Sequence, residues 1–187
     1  MHIIFDRASG RRLASRHRGF TMVELILVIV LVGIVSAVAM TRFFDRTVYD
    51  AATAAEQLRA ILRYGQKLAI AQNRSVFVQL APNRVALCFA NQNPCLEANR
   101  VRAPGGENSW SDATRTACGV RDWMCEGRPA TVTTNINGNA NPTTIRFDAL
   151  GQPLAAASDQ AAALTVTIAG GGGAHTVTMA AETGYVF

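Results

Sequence analysis

The chain has 187 residues, which suits one modest domain plus a targeting segment. Charged residues make up 17% of it, below the ~25% of an average soluble domain. Most of the net charge of +5 lies in residues 1–19, which carry five arginines against one aspartate, whereas residues 20–187 carry a net charge of only +1; this distribution argues against nucleic-acid binding as the main function.

The first predicted element is an apolar helix that begins at Phe20. Between Phe20 and Met40 the only charged residue is Glu24, and about 20 such residues cross the hydrocarbon core of a bilayer as a helix. The arginines before it predict that residues 1–19 stay in the cytoplasm. The alternative is a cleaved secretory signal ending near Ser36–Ala39, but the apolar region of such signals is usually only about 7–15 residues. The sequence therefore predicts a single membrane span over residues 20–44.

Glu24 is unusual because a carboxylate in lipid is costly and normally has a partner. If the chain is cut between Gly19 and Phe20, the new α-amino group of Phe20 supplies a cation at the start of the helix. In an assembly of parallel helices, Glu24 of one subunit can then pair with the Phe20 amine of a neighbour and fix the axial stagger. The other interpretation is that Glu24 lies at the level of the lipid headgroups.

Residues 18–25, RGFTMVEL, resemble the class III signal of type IV pilins and type II secretion pseudopilins. The resemblance implies that a prepilin peptidase cuts after Gly19 and N-methylates Phe20, and that Glu24 serves insertion and alignment of the subunit. It also implies other pilins and an inner-membrane assembly platform as partners. Many members of the family carry a helix-kinking proline where this chain has Thr41, so the resemblance does not predict a kink there.

The second predicted element is an amphipathic helix over residues 45–72. Apolar or small residues recur there at helical spacing, and charged residues lie largely off their stripe. The stripe consists of Leu58, Ile61, Leu62, Gly65 and Ala69. Asn73 is a plausible stop. We expect residues 20–72 to form one long helix, apolar at first and then packed on a domain.

From residue 75 the hydrophobic period changes to two, which predicts an antiparallel β-domain over 75–187. Residues 75–80 and 84–89 flank a Pro-Asn turn and predict a hairpin, whereas residues 90–130 have no clear period and predict a long ordered loop. Further strands are predicted at 130–134, 143–147, 164–169, 175–179 and 184–187, with a turn at 148–153. The expected fold class is α+β, with a long N-terminal helix against antiparallel strands.

Two later stretches, LRYGQKLAIAQNR at 62–74 and FDALGQP at 147–153, resemble the GspH/FimT-type group of minor pilins and pseudopilins. With Cys88-Phe89 and the closing ETGY, the chain is most similar to MshC-like minor pilins of mannose-sensitive haemagglutinin pili. The resemblance implies a pilin-like fold, a periplasmic domain over 45–187 and later presence on the cell surface. A type II secretion pseudopilin is the alternative. DNA-binding members of the group use a basic motif near the C-terminus, but residues 183–187 here contain no Arg or Lys, so nucleic acid is not an expected partner.

The four cysteines have the spacing C-x6-C twice, and in a periplasmic domain an even count favours disulfides. Of the three possible connectivities, Cys88–Cys95 with Cys118–Cys125 closes the shortest loops. The alternative is a zinc site, although zinc pairs usually enclose two to four residues. No nucleophile elbow, phosphate loop or metalloprotease motif is present, so we expect neither an enzyme nor a cofactor or metal.

The loop 90–130 contains both tryptophans of the chain, Trp110 and Trp123. One hypothesis is that they form a binding surface at a pilus tip, for a glycan, a surface in cell adhesion, or DNA. The other is that both pack beneath the disulfides.

Overall fold

The computed structural model describes residues 20–43, 46–139 and 141–187. The chain divides into two compact units, residues 1–44 and 45–187, and each is described by itself. The predicted leader 1–19, with Gly19 at the expected cleavage site, lies outside the described residues, as do residues 44 and 45 between the two predicted halves of the long helix.

The first unit contains helix α1, Met22–Phe43. Thr21 caps its start, because the Thr21 hydroxyl accepts from the backbone N–H of Glu24 at 3.2 Å and the Thr21 carbonyl accepts from Leu25 at 3.1 Å. The helix continues through Thr41. Within the described residues, no helix meets the combined requirement of length and apolarity for crossing a membrane, so the span predicted over 20–44 is not shown here.

The second unit begins with helix α2, Arg46–Gln72. The predicted stripe is confirmed, since its members are buried and the charged residues between them are exposed or only half-buried. Gly65 lies at a point of close packing in this stripe. A Cβ atom at this position would lie only 3.3 Å from the Leu87 side chain, so there is little room for a larger residue. The helix ends as predicted at Asn73, which takes the left-handed φ of 48° while the N–H of Arg74 reaches back to the Ala69 carbonyl at 3.1 Å.

Within the described residues, eight strands form two antiparallel sheets that pack on α2. The strands are β1 Val76–Ala81, β2 Arg84–Cys88, β3 Cys125–Gly127, β4 Thr133–Ile136, β5 Thr143–Phe147, β6 Pro153–Ala155, β7 Leu164–Gly170 and β8 Gly173–Met179. The first sheet has the order β3-β2-β1-β5-β6 and the second the order β4-β7-β8. The α+β class is therefore confirmed, with α2 as the helix that covers the sheets.

Several polar side chains on α2 donate hydrogen bonds to backbone carbonyls of the β-domain, including Tyr64, whose hydroxyl donates to Arg102 at 3.3 Å. Arg59 donates to Thr176 at 3.0 Å and Arg63 donates to Val186 at 2.9 Å. The Gln66 amide donates both to Gly151, in the predicted 148–153 turn, and to Thr183, each at 2.9 Å. These bonds tie the helix to turns and strands that are distant in sequence.

Several predicted boundaries were wrong in the less periodic parts of the chain. The strand predicted at 130–134 begins only at Thr133, because a turn first closes with the Val132 N–H on the Pro129 carbonyl at 3.1 Å. The last strand, predicted at 184–187, is a single bridge between Met179 and Val186. The loop 90–130 contains a short 3₁₀ turn at Glu97–Asn99, helix α3 at Asp112–Cys118, and strand β3.

Gly127→Ala should be strongly destabilising, because a Cβ there would overlap the Ala113 carbonyl of α3. We expect a loss of about 2–3 kcal/mol or more in the free energy of unfolding, measured by urea denaturation of the chain in a non-ionic detergent. Gly173→Ala is the matched control, since its nearest neighbour lies 3.8 Å away. Equal stability of the two variants would contradict the close packing of α3 on β3.

Candidate functional site

The first candidate site is the surface of α1, which is apolar on every side over residues 25–35. Every described side chain from Phe20 to Ala37 is exposed, and the exposed fraction of its large apolar side chains runs from 44% at Val28 to 80% at Met22. A helix that is hydrophobic on every side is normally buried in a membrane or among other helices. The apolar surface of α1 therefore needs lipid or other helices to pack against it, because the described part of the first unit leaves it exposed.

Glu24 and Phe20 lie at the start of α1, and both are exposed. Glu24 is in the first turn of the helix, where a negative charge is favourable to the helix dipole. Within the described part of the chain, no cation forms an ion pair with Glu24. Phe20 is four residues before Glu24 and lies just outside the helix, which begins at Met22.

The second candidate site is the loop 90–130, which is held by two disulfides. Cys88 is bonded to Cys95, and Cys118 to Cys125, which is the short-loop pairing that the spacing favoured. The bonds use all four thiols of the chain, so the alternative zinc site is excluded. With Trp123 and Ala86, the half-cystines form a hydrophobic cluster separate from the core beneath α2.

Trp123 is part of this cluster and is only 3% exposed. Its indole N–H donates to the Leu87 carbonyl at 2.8 Å, so the polar edge of the ring is also satisfied internally. The hypothesis that Trp123 binds a ligand is therefore wrong, and the alternative that it packs with the disulfides is right for this residue.

Trp110 is placed differently, half-buried on the loop with a left-handed φ of 47°. The guanidinium of Arg121 lies over its ring, 4.6 Å from the ring centre, and Arg121 also pairs with Glu107 at 3.3 Å. The backbone N–H of Trp110 donates to the side-chain oxygen of Asn108 at 3.1 Å, and this bond supports the turn at residues 108–110. Trp110 remains a candidate contact residue because it is only half-buried.

A buried carboxylate, Glu126, organises the loop around Trp110. It accepts from the Ser109 N–H and from the Thr114 hydroxyl, both at 2.7 Å, and from the Ser109 hydroxyl. Thr114 in turn accepts from the Gly127 N–H at 3.0 Å. Glu126 was not a predicted site residue, because a lone acid beside a half-cystine carries no pattern that distinguishes it from a surface residue.

Comparison with known families gives two matches. Residues 14–40 match the prokaryotic N-terminal methylation motif, and residues 54–183 match the family described as type II transport protein GspH. No curated protein sequence matches significantly.

Two crystal structures of the type IV minor pilin FimU of Pseudomonas aeruginosa strain PAO1 are similar to this chain. One has 18% identity and a TM-score of 0.45, covering 73% of this chain and 90% of that chain. The other has 17% identity and a TM-score of 0.44, covering 74% of this chain and 87% of that chain.

The two tryptophans should differ sharply on truncation. Trp123→Ala removes a buried ring and its 2.8 Å hydrogen bond to the Leu87 carbonyl, which keeps only the longer bond from the Val101 N–H at 3.3 Å. We therefore expect a loss of about 3–5 kcal/mol in the free energy of unfolding. Trp110→Ala should cost less than about 1 kcal/mol. Urea denaturation followed by circular dichroism measures both values. Similar losses for the two variants would contradict the placement of Trp110 at the surface.

Proposed function

Because the chain belongs to the GspH family of type IV pilins and pseudopilins, we propose that it is a minor pilin of an MSHA-like type IV pilus, processed by a prepilin peptidase and incorporated into the filament or priming its growth. It is a structural subunit and not an enzyme. The alternative within the same family is a minor pseudopilin of a type II secretion system. The two differ in whether the subunit is recovered with surface pili or with a secretion complex.

The exposed apolar surface of α1 is the observation that carries this proposal. In the inserted state, the basic leader 1–19 holds the N-terminus in the cytoplasm, residues 20–44 lie in the inner membrane, and residues 45–187 fold in the periplasm. The assembly platform then extracts the subunit. Contacts with the α1 helices of neighbouring pilins replace the lost contacts with lipid, so the same surface serves both states.

The match to the methylation motif over residues 14–40 supports the processing sites proposed here. The peptidase cuts between Gly19 and Phe20 and methylates the new amino group of Phe20. Glu24 then becomes the acid nearest to that amine in a neighbouring subunit. Pairing the two offsets the cost of removing both charges from water, and a single buried polar contact of this kind fixes axial register.

A second candidate function is surface binding through the loop 90–130. The observation that favours it is Trp110, whose half-buried ring lies under Arg121 on a loop braced by disulfides. Aromatic rings on rigid loops are frequent contact residues in recognition. Binding of glycans, abiotic surfaces or DNA by the wild type and by Trp110→Ala, whose fold should be intact, tests this function; equal binding by both would remove it.

The mature N-terminus tests the processing step. In cells with a prepilin peptidase, the mature chain should begin at Phe20 and be one methyl group heavier than the unmodified chain, as measured by intact mass spectrometry. Gly19→Val should remain uncut and keep residues 1–19, because a bulky residue replaces the glycine at the cleavage point. A mature chain that begins at another residue would contradict the proposed class.

Glu24→Val tests the register pairing. The variant should be inserted and cut normally but should enter filaments poorly, because the Phe20 amine of its neighbour loses its acid. Losing one partner of a buried pair costs about 3–5 kcal/mol, well above the ~1.4 kcal/mol of a tenfold change. We expect at least about tenfold less protein in sheared filaments by immunoblot.

Glu56→Val is the matched control for this experiment. Glu56 is an exposed acid on α2 whose ion pair with Arg59 lies at the surface, and such pairs contribute little. Its level in filaments should equal that of the wild type. Normal incorporation of Glu24→Val would instead favour the interpretation in which Glu24 merely lies among lipid headgroups.

A further inference from the structure

Three arginines lie around one pocket of the globular unit without carboxylate partners. Arg100 and Arg102 line the pocket, and the guanidinium of Arg74 lies over the ring of Phe89, another lining residue, 3.8 Å from the ring centre. Among the described residues, no carboxylate forms an ion pair with any of the three arginines. The pocket therefore lies in a region whose positive charge is not neutralised at short range.

The pocket, here called the Arg102 pocket, has a volume of about 270 Å³ and is lined by residues of α2, by Phe89 and by the loop 90–130. Tyr64, Leu68 and Phe89 supply apolar and aromatic walls, and Gln72 adds a polar side chain to those of the arginines. Pockets for drug-sized ligands usually measure about 300–1,000 Å³. The Arg102 pocket is therefore suited to a single ring-sized unit.

Arg102 is the residue best placed to contact a ligand in this pocket. It is exposed, whereas Arg100 is half-buried and its Nε is enclosed, with no acceptor in the described structure. The backbone of Arg102 is held in place, because its carbonyl accepts from the Tyr64 hydroxyl at 3.3 Å and the residue forms a bridge with Trp123. An exposed guanidinium on a fixed backbone is available to bind an anion.

Two carboxylates beside the pocket limit the charge that a ligand can carry. Glu97 and Asp122 line an adjoining space of about 110 Å³ together with Arg100 and Arg102. Within the described part of the chain, neither acid forms an ion pair with these arginines. An extended polyanion would bring further negative charges towards the two acids, and like charges in contact oppose binding. The arrangement therefore favours a ligand with one negative charge.

We propose that the Arg102 pocket binds a single carboxylate carried on a ring of monosaccharide size, as in a uronic acid. The carboxylate accepts charge-assisted hydrogen bonds from the guanidinium of Arg102, and the ring lies against Tyr64 and Phe89. The charges of Arg74 and Arg100 add to the attraction without direct contact.

This chemistry has two sources, a free uronic acid or a uronic acid unit within a polysaccharide. The inference does not rest on filament assembly, since all its contacts lie within the globular unit 45–187. Nor does Trp110 line the Arg102 pocket. Failure of this inference would therefore leave both functions proposed above unaffected.

The test uses the full-length chain in a non-ionic detergent, with glucuronate as the probe and glucose as its uncharged match. Glucuronate should bind at least about fivefold more tightly than glucose, because only glucuronate offers a charged acceptor to Arg102. Titration followed by saturation-transfer NMR measures both affinities. Equal binding of the two sugars would overturn the proposal.

Two variants locate the binding site. Arg102→Met removes the guanidinium at an exposed position, so the variant should fold normally and lose the preference for glucuronate over glucose. Gln72→Trp places a large side chain at an exposed residue of the pocket and should block glucuronate while leaving Arg102 in place. Undiminished glucuronate binding by either variant would contradict the site.

Arg115→Met is the matched control for the loss of one positive charge. Arg115 is exposed, pairs with Asp112 at 2.7 Å and does not line the Arg102 pocket. Its removal should leave glucuronate binding unchanged. A loss as large as that of Arg102→Met would mean that net charge alone attracts the ligand, and the proposed site would be wrong.

Oligosaccharides then separate the two sources. A hyaluronan tetrasaccharide, in which glucuronate alternates with a neutral sugar, assigns the site to a polysaccharide if it binds at least about tenfold more tightly than glucuronate. Equal or weaker binding of the tetrasaccharide assigns it to the free acid. Displacement of glucuronate by a single-stranded DNA oligomer at physiological ionic strength would contradict the limit of one charge and overturn the proposal.

Discussion

The burial of one face of α2 against both β-sheets is the constraint on which the globular unit depends. The two sheets are separate hydrogen-bonded units, and α2 is the element that packs on both. Small residues such as Ala51, Ala55 and Gly65 let the helix lie close to the strands, and Leu58 and Leu62 fill the space between them. Polar groups along the edge of this face then bond to strand and turn carbonyls, so one helix fixes both the packing and the connections of the β-domain.

The loop 90–130, which lies between β2 and β4 and contains β3, does not share this core. It is held by its own cluster of half-cystines and Trp123, and by the carboxylate of Glu126, which gathers hydroxyl and amide donors from the loop. Because the half-cystine cluster and the hydrogen bonds of Glu126 already stabilise the loop, α3 and Trp110 can present surfaces that have no part in folding. The division resembles that of many recognition proteins, in which a rigid framework carries loops available for binding. The helix α1 is the opposite case, since its surface has no partner within its own unit.

The parts of the fold that the sequence predicted are those with a strong hydrophobic period. The stripe of α2, the β1–β2 hairpin, β5 and the β7–β8 hairpin all repeat apolar residues over several positions, and their burial follows directly. Strands β3 and β6 have three residues each, too few for a period, and exist because neighbouring strands offer hydrogen bonds. The burial of Glu126 and the contrast between Trp110 and Trp123 depend on contacts between distant segments, which no local pattern encodes. Gly19 and Phe20 were predicted as processing sites by resemblance alone, because the role proposed for them depends on an enzyme outside the chain.

Both disulfides join cysteines separated by seven positions along the chain. Each bond encloses a segment that is complete soon after its second cysteine emerges into an oxidising compartment. By contrast, the pairing of Ala86 with Cys125 in the sheet requires the whole intervening excursion to be present. In the export to the periplasm proposed above, oxidation of this domain can therefore proceed in step with translocation, from the N-terminal side onward. The covalent framework of the loop can then be in place before the final strand order is reached.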